Sequence, residues 1–266
     1  MPDATPLSPA EQVVLLAPNR ASGYAAIKAM LLLLLSKGVL RIEEIDQIGI
    51  FRTKTVAHLR IAAEPKSPPP EIAVLLDLVR AAQAEGGRIK DVVARANKQF
   101  LTGCPKYITE FIQPSLKPRG LLTENKVLFV HTFHLTPEGE KLQSHLKSDL
   151  FQANDIPKLL KSDPPQAAAV AAAIGTTILL SNKLPKHFKP LADAMRANGG
   201  DAAYVPVSST GSSTGSSIDW SSFDLGSFNF ANFDAGSFDS GMSSFDSGFS
   251  DASGGGDGGG GSDSSS

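Results

Sequence analysis

The chain has little cysteine and no strongly apolar run long enough to cross a membrane. One Cys among 266 residues excludes a disulfide framework and a cysteine-based zinc site, and it fits a reducing compartment. The most apolar stretch, residues 167–180, has 14 residues and is rich in Ala, whereas a span needs roughly 20 strongly apolar residues. The first residues show neither the basic nor the apolar region of a secretory signal. We therefore expect a cytoplasmic protein, with peripheral attachment to a membrane left open.

Basic residues are missing from the tail, which we define as residues 201–266. The tail contains nine Asp and no Glu, Lys, Arg or His, so all 25 Lys and Arg lie in the body, residues 1–200, with the other 18 acids. The body thus carries +7 and the tail −9. A basic surface attracts the phosphates of lipid headgroups or of nucleic acid. Two alternatives stay open: the cations alternate with acids on solvated faces, or the tail folds back and screens them.

Helix and turn signals predict a mainly α-helical body with two small β-hairpins. Ser8 and Glu11 form a capping-box pattern, and residues 24–36 are apolar almost all round, as in a buried helix. After the linker, amphipathic helices are predicted over residues 71–83 and 88–100. A third helix begins near residue 108, and Pro114 is expected to kink it or end it early. Thr136 is the predicted cap of a later helix, and a separate short helix is expected over 156–162.

A weak internal repeat links the two hairpins. The segments SKGVL (36–40) and KPRGLL (117–122) each place a basic residue, a Gly and two aliphatic residues between a helix and a hairpin. Gly permits the positive φ that ends a helix, and the basic residue complements the helix dipole. This pattern is typical of a winged helix, so a nucleic-acid-binding protein is one predicted function. The alternative is that the two segments are ordinary helix C-termini, which have the same sequence pattern.

The predicted domain organisation has three parts. An N-terminal helix–hairpin module covers residues 1–63, a helical domain with the second hairpin covers 70–200, and a disordered acidic low-complexity tail covers 201–266. Between the first two lies the proline-rich linker EPKSPPP. In the tail, Phe recurs about every five residues, a spacing typical of segments that associate weakly. The tail is therefore interpreted either as an assembly segment or as a solubilising segment.

Catalytic and metal-binding patterns are not recognisable. His131 and His134 fall on opposite faces of a regular strand, Cys104 has no visible base beside it, and no glycine-rich phosphate loop follows a strand. We therefore expect a protein that is not an enzyme and that uses no metal and no cofactor.

The order of segments resembles the Golgi phosphoprotein 3 family over roughly residues 7–197. The resemblance lies in LSPAEQVVLLA, LLLLLSKGVLRI, LLDLVRAAQ, YITEFIQPSLKPRGLLTENK and TPEGEKLQSHLKSDL, and it is most specific over Leu116–Lys126. It implies a mostly helical fold and a peripheral membrane protein that binds phosphatidylinositol 4-phosphate through a basic pocket.

Four cations are the candidate headgroup-binding residues. The family's headgroup arginines fall at Ile27, Thr109 and Phe111, so the resemblance implies that the nearby Lys28 and Lys106 take their place. Arg52 and Arg119 are added from the basic clusters at the two hairpins. The predicted function is thus binding of anionic, phosphoinositide-type headgroups at a membrane surface; nucleic-acid binding and assembly through the Phe-spaced tail are the alternatives, and the oligomeric state is left open.

Overall fold

The computed structural model describes residues 6–48, 53–127, 130–181, 190–191, 193–194 and 218–219. This part of the chain is mainly helical with two antiparallel hairpins, which confirms the predicted fold class. The helices are α1 (Pro9–Leu16), α2 (Gly23–Ser36), α3 (Pro70–Gln83), α4 (Ile89–Phe100), α5 (Pro105–Tyr107), α6 (Gln113–Leu116), α7 (Pro137–Ser162) and α8 (Pro164–Ile174). The strands are β1 (Leu40–Ile48), β2 (Thr53–Ile61), β3 (Pro65–Lys66), β4 (Leu122–Val127), β5 (Val130–Leu135) and β6 (Ile218–Asp219). The disorder predicted for the tail concerns residues that, apart from 218–219, lie outside the described ones.

Side-chain caps begin the first two helices. The Ser8 hydroxyl accepts a bond from the Glu11 N–H at 3.2 Å, and the Glu11 carboxylate accepts one from the Ser8 N–H at 2.8 Å, so the predicted capping box is confirmed. Ser22 caps α2 by accepting from the Ala25 N–H at 3.2 Å.

Helix α2 lies between two hydrophobic cores. Its residues Leu31 and Leu34 belong to a large core shared with α1, α3, α4 and both hairpins. Leu32 and Leu33 belong to a second core shared with α7, α8 and a 3-10 turn over Gly175–Leu180. Because both of its sides are covered, α2 is apolar almost all round, as the sequence predicts.

The two predicted glycine turns have the same geometry. Gly38 and Gly120 adopt φ values of +70° and +68°. The N–H of the next residue then bonds to the carbonyl oxygen five positions back, at 2.9 Å for Val39 and 3.2 Å for Leu121. Each turn leads into a hairpin, β1–β2 or β4–β5, so the helix–glycine–hairpin repeat is confirmed.

Pro114 does not end the helix that is predicted to begin near residue 108. The Gln113 N–H bonds to the Ile108 carbonyl, which makes a π turn over Ile108–Ile112 between α5 and α6. A proline offers no N–H to the carbonyl four residues back. The wider turn shifts the bonding pattern by one residue there, and the helical path continues to Leu116.

Helix α7 is continuous where the sequence predicts a separate helix over 156–162. Thr136 caps it as predicted, accepting from the Gly139 N–H at 3.0 Å. Pro157 lies inside the helix, where a proline costs about 3 kcal/mol in isolation. Ala153 and Ile156 are fully buried in the second core, so packing holds the helix together across the proline.

The large core continues across the proline-rich linker. It contains Leu40 and Leu59 from one side of residues 64–70 and Ile72 and Leu75 from the other. The predicted N-terminal module and the helical domain therefore share one hydrophobic interior. Within the described part of the chain, no helix is both long enough and apolar enough to cross a bilayer.

Candidate functional site

Arg119 forms an ion pair with the buried carboxylate of Glu11. Its guanidinium donates to the Glu11 carboxylate at 3.0 Å, and the Arg119 and Glu11 side chains are 27% and 8% exposed. The same carboxylate accepts from the Ser115 hydroxyl at 2.8 Å and closes the capping box with Ser8. Arg119 therefore ties α1 to the segment between α6 and β4, which is a structural position.

The neighbouring lysine at the second hairpin is also neutralised. Lys117 forms an ion pair with Glu124, and its ammonium lies 5.2 Å from the centre of the Phe133 ring. His131 contacts the same carboxylate. Hydrogen bonds from Lys117 and His131 hold the pKa of Glu124 below its usual value. These contacts match the alternative in which cations alternate with acids.

At the first hairpin, two arginines likewise face a carboxylate. Arg41 lies 2.5 Å and Arg60 lies 3.3 Å from Glu43. Arg52, a predicted headgroup ligand, lies outside the described residues.

Two lysines on either side of the α4–α5 turn stand apart from this pattern. Lys98, near the end of α4, and Lys106, in α5, are both exposed, and neither forms an ion pair with another described residue. Between them, Leu101 is 52% exposed, which makes it one of the few large apolar side chains on the described surface. The turn therefore presents an apolar side chain flanked by two cations.

Backbone strain is concentrated at the same turn. Leu101 and Cys104 adopt φ values of +66° and +55°, a region in which residues other than Gly are uncommon. A bond of 2.8 Å from the Cys104 N–H to the Leu101 carbonyl closes the turn. Such conformations cost of order 1–3 kcal/mol each and are concentrated at functional sites.

The N-terminus of α2 holds the turn in place. A Cβ atom on Gly23 would lie 2.1 Å from the Cys104 carbonyl oxygen, so only Gly allows this close approach. Tyr24 donates a hydrogen bond to Asn97, which precedes Lys98. Lys28 follows Tyr24 by four residues and thus lies on the same face of α2. We call Lys28, Lys98, Leu101 and Lys106 the α4–α5 patch.

The structure describes three of the four predicted ligands, and these three do not lie together. Lys28 and Lys106 belong to helices that pack against each other, α2 and α5. Arg119 lies beyond the other end of the helical segment, which from Lys106 to Leu116 is about 15 Å long at 1.5 Å per residue. Lys98 belongs to a basic cluster that is visible in the sequence, but Leu101 gives no signal there, because its exposure depends on the tertiary position of the turn.

The titratable groups near the patch are suited to structure rather than catalysis. Burial raises the pKa of the Cys104 thiol to about 12, so the reactive thiolate is absent at neutral pH. Burial, and then the charge of Glu71, raises the pKa of the Tyr107 phenol well above its usual value. In the part of the chain that the structure describes, no cluster of His, Cys, Asp and Glu is placed to hold a metal ion.

Comparisons with protein-family models, with curated proteins and with solved structures find no match to this chain.

Proposed function

We propose that the chain is a non-enzymatic binding protein that docks on an anionic membrane surface, with the α4–α5 patch facing the phosphate-bearing headgroups. One observation carries the proposal: Lys98 and Lys106 flank the exposed Leu101 on a strained turn, whereas four cations at the hairpins face acids, namely Arg41, Arg60, Lys117 and Arg119. The segment order that resembles the Golgi phosphoprotein 3 family supports the same class of ligand.

The expected binding is weak and reversible. Each lysine close to an anionic surface contributes about 1 kcal/mol. Insertion of Leu101, which is already half-buried, adds about 1–2 kcal/mol, less than the roughly 1.5–3 kcal/mol for full burial of a Leu side chain. The two exposed lysines, Lys98 and Lys106, and one leucine therefore give about 3–4 kcal/mol, a dissociation constant on the order of 1–10 mM.

Selectivity among headgroups is expected to be low. A lysine ammonium is a point charge and lacks the planar fork with which Arg binds phosphate in two places. We therefore propose that phosphoinositide-type headgroups, including phosphatidylinositol 4-phosphate, are preferred mainly for their charge.

Vesicle co-sedimentation tests the proposal. The full chain is incubated at low salt with vesicles of neutral lipid alone, with added phosphatidylserine, and with added phosphatidylinositol 4-phosphate. We expect the bound fraction to rise in that order and to fall when salt is added. A double Lys98→Glu, Lys106→Glu variant and a Leu101→Ser variant are each expected to bind less.

Matched control variants distinguish an effect of the α4–α5 patch from a general effect of net charge or of exposed apolar surface. Lys161 is exposed in the last turn of α7 and forms no ion pair with another described residue, so Lys161→Glu controls for a charge change. Phe151 is 70% exposed on α7, so Phe151→Ser controls for loss of an apolar side chain. Equal loss in control and patch variants, or no binding to anionic vesicles at low salt, contradicts the proposal.

Nucleic-acid binding is less well supported by the geometry. A recognition helix needs a free face to enter the major groove. Helix α2, which precedes the first hairpin, is covered by two cores and has no such face.

A further inference from the structure

A dipeptide of the acidic tail is paired with the proline-rich linker. Strands β3 and β6 form a parallel two-stranded sheet in which Pro65 is opposite Ile218 and Lys66 is opposite Asp219. The register therefore pairs a basic position, 66, with an acidic position, 219. Opposite charges at paired positions stabilise a sheet. Lys66 is exposed and makes no ion pair with another described residue.

The acceptor strand is limited to two residues. Ser67 adopts a φ of +50°, which turns the backbone out of the strand, and prolines follow at 68, 69 and 70. A ligand for β3 is therefore limited to a dipeptide, and the one paired in the structure, Ile218–Asp219, is an apolar residue followed by an acid.

The tail contains that dipeptide five times. Ser-Ile-Asp at 217–219 is followed by Ser-Phe-Asp at 222–224, Asn-Phe-Asp at 232–234, Ser-Phe-Asp at 237–239 and Ser-Phe-Asp at 244–246. Main-chain pairing between strands requires no particular side chain, whereas the alternation of side chains gives specificity. Each of the four later repeats therefore matches the features that Ile218–Asp219 offers to β3.

We propose that β3 is a docking strand for the apolar–Asp repeats of a second copy of this chain, so that the tail links copies together. Each chain has one acceptor strand and five repeats, so copies are linked when the β3 strand of one copy exchanges its own Ile218–Asp219 for a repeat of another copy. A single two-residue pairing is weak, but two copies that exchange repeats share two pairings, and the second one forms within an already linked pair, which raises the overall affinity. The proposal does not depend on headgroup binding, because Lys66 is not part of the α4–α5 patch.

A charge-swap experiment on the full chain tests the proposal. One variant carries Lys66→Glu, and a second carries Asp→Lys at the five repeat positions 219, 224, 234, 239 and 246. Sedimentation velocity over a range of concentrations is expected to show association for the original chain and monomers for each variant alone. An equimolar mixture of the two variants is expected to associate again, because the acidic acceptor strand of the Lys66→Glu variant then meets the Lys-bearing repeats of the other.

Two controls make the result specific. Lys161→Glu changes the net charge as Lys66→Glu does and is expected to leave association unchanged. Asp→Lys at the four tail positions outside the repeats, 201, 251, 257 and 263, changes the tail charge without touching the dipeptides and is expected to retain association. Association of the Lys66→Glu variant at the level of the original chain, or a mixture that stays monomeric, overturns the proposal, as does an original chain that is monomeric throughout.

Discussion

Replacing Arg119 with Ala is expected to destabilise the fold and to leave headgroup binding unchanged. In the variant, the Glu11 carboxylate loses the guanidinium donor at 3.0 Å but keeps bonds from the Ser8 N–H and the Ser115 hydroxyl. Removing one partner of a buried ion pair costs about 3–5 kcal/mol, and an exposed pair is worth about 0.2–1 kcal/mol. The Arg119 side chain is 27% exposed and the Glu11 side chain 8%, and Glu11 keeps two other donors. The cost of breaking this pair therefore lies between those two limits. We expect a loss of about 1–3 kcal/mol in the free energy of unfolding.

Urea denaturation followed by circular dichroism measures this loss. Arg80 provides the control, because it pairs with Glu64 and Asp77 while all three side chains are about half exposed or more, so Arg80→Ala is expected to cost less than about 1 kcal/mol. A double-mutant cycle with Glu11→Gln isolates the coupling between Glu11 and Arg119. Equal stability of the Arg119 and Arg80 variants, together with loss of vesicle binding in the Arg119 variant alone, would show that Arg119 is a headgroup ligand and refute the structural role.

Three further variants or reactions test the surroundings of the patch. Gly23→Ala is expected to lower the urea midpoint, because the added Cβ would lie 2.1 Å from the Cys104 carbonyl oxygen. This clash is expected to outweigh the roughly 1 kcal/mol by which Ala is favoured over Gly in a helix. An unchanged or raised midpoint contradicts the close contact. Burial raises the pKa of Glu71 above 4.5, so stability is expected to fall as pH rises from 4.5 through the raised pKa, and thermal melts of Glu71→Gln should lack this fall. Since the pKa of Cys104 is about 12, a thiol reagent at pH 7 should react much faster in urea than with the folded chain; equal rates would contradict its burial.

Local signals allowed much of the fold to be predicted from the sequence. The Ser8–Glu11 capping box, the Thr136 cap and the turns at Gly38 and Gly120 each depend on residues within a few positions of each other. Such patterns are readable because a cap or a positive φ restricts which residue types fit.

Features that depend on distant residues could not be predicted in the same way. Helix α7 passes through Pro157 because α8 and the 3-10 turn pack against it, which a local proline rule does not include. Arg119 meets Glu11 across 108 positions, so its charge could be seen in the sequence but its partner could not. Leu101 became part of the candidate site only through its exposure and the approach of Gly23 to the turn.

A fluorescent label at position 101 tests membrane docking most directly. An environment-sensitive dye is attached to Leu101→Cys at pH 7, where the buried Cys104 thiol is protonated, and a Phe151→Cys variant labelled in the same way is the reference. With vesicles containing phosphatidylinositol 4-phosphate, we predict a blue shift and an intensity gain at position 101 and no change at position 151. No change at position 101, or equal changes at both positions, would contradict docking through the α4–α5 patch.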